Sequence, residues 1–212
     1  MPACILASHR EDAGITDWED RYQTGDTPWD KGVPAPPLLE LIDQKGASIF
    51  GEGVVWVPGC GVGHDVRALA RVGVQVRGVD LAQTAIDRAS AHPRVAEESF
   101  LVGDFLDAEW VASHQASAIW EHTCFCAIHP SRRDDYAAAA ARLLPSGGLL
   151  AGVFFLRPYD PGEDHEGPPF GAEPEEIEAC FAPWFEREDA WVPQQSHPGR
   201  EGREWLALFR RR

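Results

Sequence analysis

Residues 53–65 read GVVWVPGCGVGHD, and this stretch decides the fold. The apolar run over residues 53–57 predicts a buried strand, and the Ala- and Leu-rich run over residues 65–72 predicts a helix. Glycine lets a backbone turn tightly and approach a ligand closely. The turn between the two elements carries three glycines, Gly59, Gly61 and Gly63. The stretch therefore predicts a strand, a ligand-binding turn and a helix in succession.

The glycine spacing and an acid further on indicate the ligand. The spacing G-x-G-x-G differs from the dinucleotide fingerprint, no Gly-Lys-Ser/Thr follows as in a phosphate loop, and the pattern is typical of S-adenosylmethionine sites. Asp80 closes the second predicted strand, where an acid can accept hydrogen bonds from both ribose hydroxyls; capping the next helix is the alternative. Leu81 is expected beside the same nucleoside. Asp104 follows the third strand and is placed to accept from an adenine amino group, with Phe105 against the ring.

Short apolar runs alternate with helical stretches along the chain. The predicted strands cover residues 53–57, 74–79, 99–102, 116–121, 149–156, 190–192 and 205–209, and the predicted helices cover residues 65–72, 82–91, 131–144 and 173–184. Such alternation predicts an α/β fold with a mostly parallel sheet and helices on both faces, which binds ligands at the carboxyl ends of its strands. Residues 157–171, RPYDPGEDHEGPPFG, predict a long surface loop of the kind that forms lids.

Composition limits the partners. The chain has 212 residues and a formal net charge of −15, so it is expected to form one domain and to repel nucleic-acid backbones. No apolar run approaches the ~20 residues of a membrane helix, and the first ten residues lack a signal-peptide pattern. With five cysteines, an odd number, reduced thiols are expected. These features predict a cytoplasmic protein with no membrane or nucleic-acid partner.

Four separated motifs carry a family resemblance. They are WEDRYQTGDTPWDKG (18–32), VPGCGVGHD (57–65), IWEHTCFCAIHP (119–130) and YDPGEDHEGPPF (159–170). In this order they resemble the thiopurine S-methyltransferase superfamily of class I S-adenosylmethionine-dependent methyltransferases, close to its halide/thiol methyltransferase branch. The resemblance implies a Rossmann-like, seven-stranded sheet with a reversed last hairpin. It also implies one domain over residues 1–212, with a cofactor lid at about residues 15–45 and a core over residues 53–212.

The resemblance also implies the cofactor residues. Trp18, Tyr22 and Trp29 match aromatic residues that close over S-adenosylmethionine, and aromatic faces attract a cation such as its sulfonium by ~0.5–2 kcal/mol each. The alternative is that they fasten a helix to the body. The glycine turn, Asp80, Asp104 and Phe105 match the methionine, ribose and adenine contacts, and His122 falls near the methyl group.

The implied reaction is methyl transfer from S-adenosylmethionine to the sulfur of a small thiol, which leaves S-adenosylhomocysteine. Such an enzyme mainly positions the partners and excludes water, because a thiol is already partly ionised near neutral pH. His122 is the predicted catalytic residue, since histidine can act as a weak base, and Glu121 is predicted to contact the ligand or to orient His122. The residues expected at the acceptor are Trp29, His165, Phe170 and Arg203, with Arg200 preceding the same strand.

Other readings remain at this point. A halide methyltransferase, or a non-catalytic S-adenosylmethionine-binding protein on the same fold, would share these motifs. Amino methylation is disfavoured because the chain contains no Asn, whereas enzymes of this fold that methylate amines often carry Asn/Asp-Pro-Pro-Tyr/Phe after the fourth strand. The spacing of His122, Cys124, Cys126 and His129 suggests a metal site, but Cys126 lies in the family motif as a core residue, so no metal is predicted. We expect a monomer rather than an oligomer.

Overall fold

A computed structural model of the protein describes residues 16–160, 162 and 165–212. Residues 1–14 and the first residue of the predicted lid therefore lie outside the described residues. The α-helices are α1 (Trp18–Thr24), α2 (Pro36–Lys45), α3 (His64–Arg71), α4 (Gln83–Ala91), α5 (Ala108–Ala112), α6 (Arg133–Leu143) and α7 (Pro174–Phe181). The strands are β1 (Val54–Pro58), β2 (Gln75–Asp80), β3 (Glu98–Val102), β4 (Ala118–His122), β5 (Leu149–Phe155), β6 (Phe185–Trp191) and β7 (Glu204–Arg211).

The seven strands form one sheet in the order β3-β2-β1-β4-β5-β7-β6. The strands from β3 to β5 pair in parallel, whereas β7 runs antiparallel to both β5 and β6. Strand order reverses between β1 and β4, which is where sheets of this kind bind ligands. This topology confirms the predicted fold class, including the reversed last hairpin.

Helices cover both faces of the sheet. Successive strand residues point to opposite faces, so Val55 joins a core with Leu38 of α2 and Leu69 of α3, whereas Trp56 joins a core with Tyr136 of α6 and Phe181 of α7. All six side chains are at most 1% exposed. The two cores hold the sheet rigidly beneath the site at its edge.

Three parts differ from the sequence expectations. The edge strand β6 starts at Phe185, whereas the sequence predicts a helix over residues 173–184 and a strand only over residues 190–192. Exposed acidic and basic residues, which are usual in an edge strand, hide the strand pattern in the sequence. The sequence does not predict helices α2 and α5.

The described residues between β5 and α7 carry no helix or strand, as expected for the surface loop. In the part of the chain that the structure describes, no helix has the length and apolarity to cross a bilayer.

Candidate functional site

A cavity of about 300 Å³ lies at the carboxyl ends of the parallel strands. Its floor includes Gly59, Asp80, Gly103 and Thr123, each of which ends or follows a different strand among β1 to β4. From the N-terminal segment, Trp18, Arg21, Tyr22, Pro28 and Trp29 also line it. The cavity therefore occupies the place that the sequence predicts for a cofactor.

The glycine turn is shaped for close contacts. Gly59, Gly61 and Gly63 have φ angles of 57°, 52° and 82°, which lie in the left-handed region that favours glycine. A Cβ on Gly61 would lie 2.7 Å from the hydroxyl of Tyr22, and a Cβ on Gly59 would lie 2.9 Å from the Cβ of Cys124. A side chain at Gly59 or Gly61 would therefore fill the space between β1, the N-terminal segment and the turn after β4. We call this space the cradle of the glycine turn.

Asp80 is fixed by this turn. Its two carboxylate oxygens accept hydrogen bonds from the backbone N–H groups of Gly61 (2.9 Å) and Ala82 (3.0 Å). The side chain is buried, and burial raises the pKa of Asp80 although these backbone N–H groups oppose the shift. A carboxylate can accept about four hydrogen bonds, so acceptor capacity is left on the cavity side.

The predicted adenine residues line the same end of the cavity. Asp104 lines the wall while one of its oxygens accepts from the backbone N–H of Leu106 (2.7 Å). Phe105 is buried and packs against Tyr136 at 5.1 Å between ring centroids. Leu81 is 54% exposed at the rim. An apolar slot with one carboxylate fits an adenine ring and its amino group.

The N-terminal aromatic residues Trp18, Tyr22 and Trp29 pack against one another and line the cavity. The ring of Trp29 meets Trp18 and Tyr22 edge-on at 5.3 and 5.7 Å between ring centroids, and its indole N–H donates to the hydroxyl of Tyr22 (3.1 Å). The carboxylate of Glu19 accepts from the backbone N–H of Thr84 (3.0 Å), which fastens α1 to the start of α4. Of the predicted lid, five residues between Trp18 and Trp29 line the cavity, whereas α2 packs into the core.

A smaller compartment of about 60 Å³ adjoins the main cavity. Tyr22, Trp29, Gly59 and Thr123 line both spaces. His122 lines only the smaller one, where its Nδ1 lies 3.0 Å from a carboxylate oxygen of Asp65. The structure thus places His122 beside the cradle of the glycine turn, and it adds Asp65, which the sequence reasoning had not selected.

Glu121 does not line either compartment. Strand alternation sends it to the face opposite His122, where it is fully buried. Its carboxylate accepts from the backbone N–H groups of Cys124 (3.0 Å) and Phe125 (2.8 Å) and from the hydroxyl of Tyr136. This geometry contradicts the predicted contact of Glu121 with a ligand or with His122. The hydrogen bonds of Glu121 instead hold the turn after β4 in place.

Of the four predicted acceptor residues, one lines the cavity and three do not. Trp29 lines the cavity, but His165 stacks on Tyr159 (4.1 Å between centroids), Phe170 packs against His129 (5.4 Å), and Arg203 pairs with Asp160. Among the described residues, His165, Phe170 and Arg203 are absent from the cavity wall because these contacts turn them away. The far wall instead includes Cys126, Phe155, Pro168, Pro169 and Arg200.

Arg200 is the buried cation of this wall. Its guanidinium lies 4.8 Å from the ring centroid of Phe155 and 3.3 Å from the carboxylate of Glu204. Its position before β7 in the sequence was the only signal for it, and that signal did not distinguish it from Arg203. The nearby Cys126 is no anionic ligand, since burial raises the pKa of its thiol to about 12. Within the described residues, no three His, Cys, Asp or Glu side chains gather as a metal site.

Comparison with known proteins assigns the chain to a family. The sequence profile of the family described as thiopurine S-methyltransferase matches residues 14–211. A protein named probable thiol methyltransferase 2 from Arabidopsis thaliana is 35% identical over 78% of this chain and 71% of its own length. Thiocyanate methyltransferase 1 from the same plant is 29% identical over 92% of this chain and 84% of its own length.

A solved structure shares the fold of this chain. It was reported for the conversion of a disulfide bond into a thioacetal group during echinomycin biosynthesis. It superposes with a TM-score of 0.70 at 25% identity, covering 87% of this chain and 84% of that one. The profile, the relatives and the fold agree, and the chain belongs to the thiopurine S-methyltransferase family.

Proposed function

We propose that the protein is an S-adenosylmethionine-dependent methyltransferase that transfers a methyl group to the sulfur of a small thiol. The observation that carries this proposal is one continuous cavity. It has the glycine turn and Asp80 at one end, a buried arginine in an apolar wall at the other, and aromatic rings above. The family and the names of the relatives support the same reaction.

The residues present fit the cofactor. The cradle at Gly59 and Gly61, which a Cβ would fill, receives the methionine part. Asp80 accepts from the ribose hydroxyls, and the slot of Leu81, Asp104 and Phe105 holds the adenine. The lid residues 18–29, within the predicted lid of residues 15–45, exclude water from the reacting atoms. When bound, S-adenosylmethionine supplies a methyl group on a positively charged sulfur.

The other wall selects the acceptor. Phe155, Pro168 and Pro169 offer apolar contacts, and Arg200 offers a buried positive charge among them. A cation in a poorly hydrated wall favours the ionised form of a thiol, and the thiolate is the reactive nucleophile. His122 borders the adjoining compartment and is our candidate for taking up the thiol proton.

The experiment that tests the proposal is an acceptor screen. The purified protein is incubated with S-adenosylmethionine and, separately, with alkyl thiols, aromatic thiols, thiopurines, thiocyanate, iodide and amines. S-Adenosylhomocysteine is measured by chromatography and volatile products by headspace analysis. We expect methylated sulfur products. Cofactor binding in calorimetry without product from any acceptor would reject the enzyme.

Arg200 provides a prediction about the acceptor. Replacing it with methionine should raise KM for a thiol about tenfold, the effect of losing ~1.4 kcal/mol of binding, and leave cofactor affinity unchanged. Because Glu204 then loses its partner, the same measurement is made on the double variant R200M/E204Q. Arg203→Met removes an arginine of the same loop that lies outside the cavity wall, and should change KM little. Equal effects of both arginines would contradict the assignment.

Trp29 provides a prediction about the lid. Trp29→Ala should weaken S-adenosylmethionine binding about tenfold, because it removes a ring that attracts the sulfonium by ~0.5–2 kcal/mol and that orders Trp18 and Tyr22. Calorimetry gives the affinity and thermal unfolding gives the stability. Trp184→Ala, which removes a half-exposed indole remote from the cavity, is the matched control. An equal loss of melting temperature with and without cofactor would instead show that Trp29 only fastens α1.

The proposal includes a cytoplasmic, monomeric enzyme. Four described cysteines, Cys60, Cys124, Cys126 and Cys180, have free thiols, which suits a reducing compartment.

A further inference from the structure

Asp65 is a buried carboxylate with three hydrogen-bond donors around it. One oxygen accepts from the backbone N–H of Ala35 (2.7 Å). The other accepts from the indole N–H of Trp120 (2.8 Å) and contacts Nδ1 of His122 (3.0 Å). Burial acts to raise the pKa of Asp65, but the His122 ring and these donors outweigh it and lower the pKa. The carboxylate is therefore ionised and can only accept.

This arrangement sets the protonation of His122. An ionised carboxylate has no proton to give, so the 3.0 Å contact requires that Nδ1 of His122 carries the hydrogen. In a neutral ring, Nε2 then has a free lone pair. Nε2 is buried and has no hydrogen-bond partner among the described residues, and the ring lines the compartment that adjoins the main cavity. The ring thus keeps an unused acceptor beside the cradle.

The other groups around His122 leave that acceptor in place. His197, from the segment between β6 and β7, stacks on His122 at 6.0 Å between centroids. Burial, followed by the nearby His122 and Arg200, lowers the pKa of His197 to about 4, so His197 is neutral near pH 7. The remaining titratable groups that line the compartment are Tyr22, Asp30 and Lys31 of the N-terminal segment, Cys60 of the glycine turn, and His64 of α3, which pairs with Asp30 at 3.0 Å.

We propose that Asp65 is a positioning residue for the methyl transfer: it holds His122 with Nδ1 protonated, so that Nε2 accepts the proton of the thiol. This inference rests on the proposed function. The S–H bond breaks, the proton passes to Nε2, and the electron pair stays on sulfur as the thiolate. The imidazolium that forms is stabilised by the Asp65 carboxylate and returns its proton to water after the product leaves.

The size of the expected effect follows from thiol ionisation. A thiol with a pKa of ~8.5 is only about 3% ionised near neutral pH, so a base can gain at most about 30-fold for it. An acceptor that is already an anion, such as thiocyanate, needs no base. A residue that serves the base must therefore affect the two acceptors differently, whereas a merely structural residue affects both alike.

The first test is the ring tautomer of His122 in the intact protein. Long-range proton–nitrogen correlation spectra of 15N-histidine-labelled protein report which nitrogen carries the proton, and the variant His122→Gln assigns the signal. We expect Nδ1–H in the wild type. A ring protonated on Nε2 above neutral pH would overturn the proposal, whether or not any acceptor is methylated.

The second test is Asp65→Asn. It should lower kcat/KM for an alkyl thiol about tenfold near neutral pH, with the loss shrinking as pH approaches the thiol pKa of ~8.5. Turnover of thiocyanate should stay within about twofold. His122→Gln should reproduce this pattern if Asp65→Asn does not fold. An equal loss for both acceptors, or a loss independent of pH, would overturn the proposal. If the wild type methylates no acceptor, the proposed function fails, and the tautomer alone decides what Asp65 does.

Glu40 offers a matched control. Like Asp65, it is a buried carboxylate that accepts from an indole, that of Trp191 (3.0 Å), and from backbone N–H groups, those of Gln194 (2.8 Å) and Gln195 (3.1 Å). It contacts no histidine in the part of the chain that is described. Glu40→Gln should therefore lower the melting temperature without changing the ratio of thiol to thiocyanate turnover.

Discussion

Replacing Asp80 with alanine should lower the affinity for S-adenosylmethionine about a hundredfold or more. Hydrogen bonds to a charged group contribute ~1.5–3 kcal/mol each, and two ribose hydroxyls are expected to donate to this carboxylate. The backbone N–H groups of Gly61 and Ala82 hold the carboxylate in place before the ligand binds. Binding therefore loses little free energy to ordering the Asp80 side chain. Titration calorimetry with the stable product S-adenosylhomocysteine measures the change directly.

The same substitution also loosens the glycine turn, and a control must separate the two effects. Glu98 likewise accepts from two backbone N–H groups, those of Val95 (2.7 Å) and Ala96 (2.8 Å), and it is buried. It stands at the start of β3, at the edge of the sheet opposite the cavity. Glu98→Ala should cost comparable stability and leave affinity unchanged. An Asp80→Ala affinity within about threefold of wild type, less than ~0.7 kcal/mol, would contradict the ribose contact.

The buried half of the fold could be predicted because its signals are local. The apolar run of β1, the glycine turn and the Ala-rich α6 each satisfy their own propensities, and the sheet follows from their alternation. The edge strand β6 could not be recognised, because solvent faces most of it and its charged residues resemble a surface helix or loop. Helix α2 begins with two prolines, and its burial depends on contacts with a core that the local sequence does not reveal.

The proposed cofactor end of the site was easier to predict than the proposed acceptor end. Asp80 and the glycines must sit where strands end, so their place follows from the strand order. The acceptor wall is formed by two loops whose contacts are distant in sequence: the backbone N–H of Phe170 donates to the carbonyl of Cys126 (2.6 Å), and Arg133 donates to the Phe170 carbonyl (2.9 Å). These contacts turn the side chain of Phe170 away and leave Pro168 and Pro169 at the cavity.

The limit of prediction from sequence is clearest at the turn after β4. Thr123 has a φ of 65°, a left-handed conformation that a β-branched residue rarely adopts. Such a conformation persists only when surrounding contacts impose it, and no sequence pattern predicts it. The contacts that impose it come largely from Glu121, whose carboxylate binds the two N–H groups that follow Thr123.

Glu121→Ala is accordingly the substitution with the largest expected effect on stability, about 4 kcal/mol of unfolding free energy. It leaves three buried donors unpaired, those of Cys124, Phe125 and Tyr136, and each unsatisfied group costs ~1–3 kcal/mol. Glutamine has the same shape as glutamate, and its amide oxygen can still accept from the backbone N–H groups of Cys124 and Phe125. Glu121→Gln should therefore cost only about 1–2 kcal/mol.

The pair of variants separates the two roles considered for Glu121. Urea unfolding followed by circular dichroism measures stability, and thiol turnover is measured at a temperature at which both variants are folded. If Glu121 holds the turn, the glutamine variant keeps the turnover of the wild type, because the groups that line the cavity stay where they are. A glutamine variant that folds like the wild type and yet loses turnover would restore the catalytic role expected from the sequence, since only the ionisable group would then have been removed.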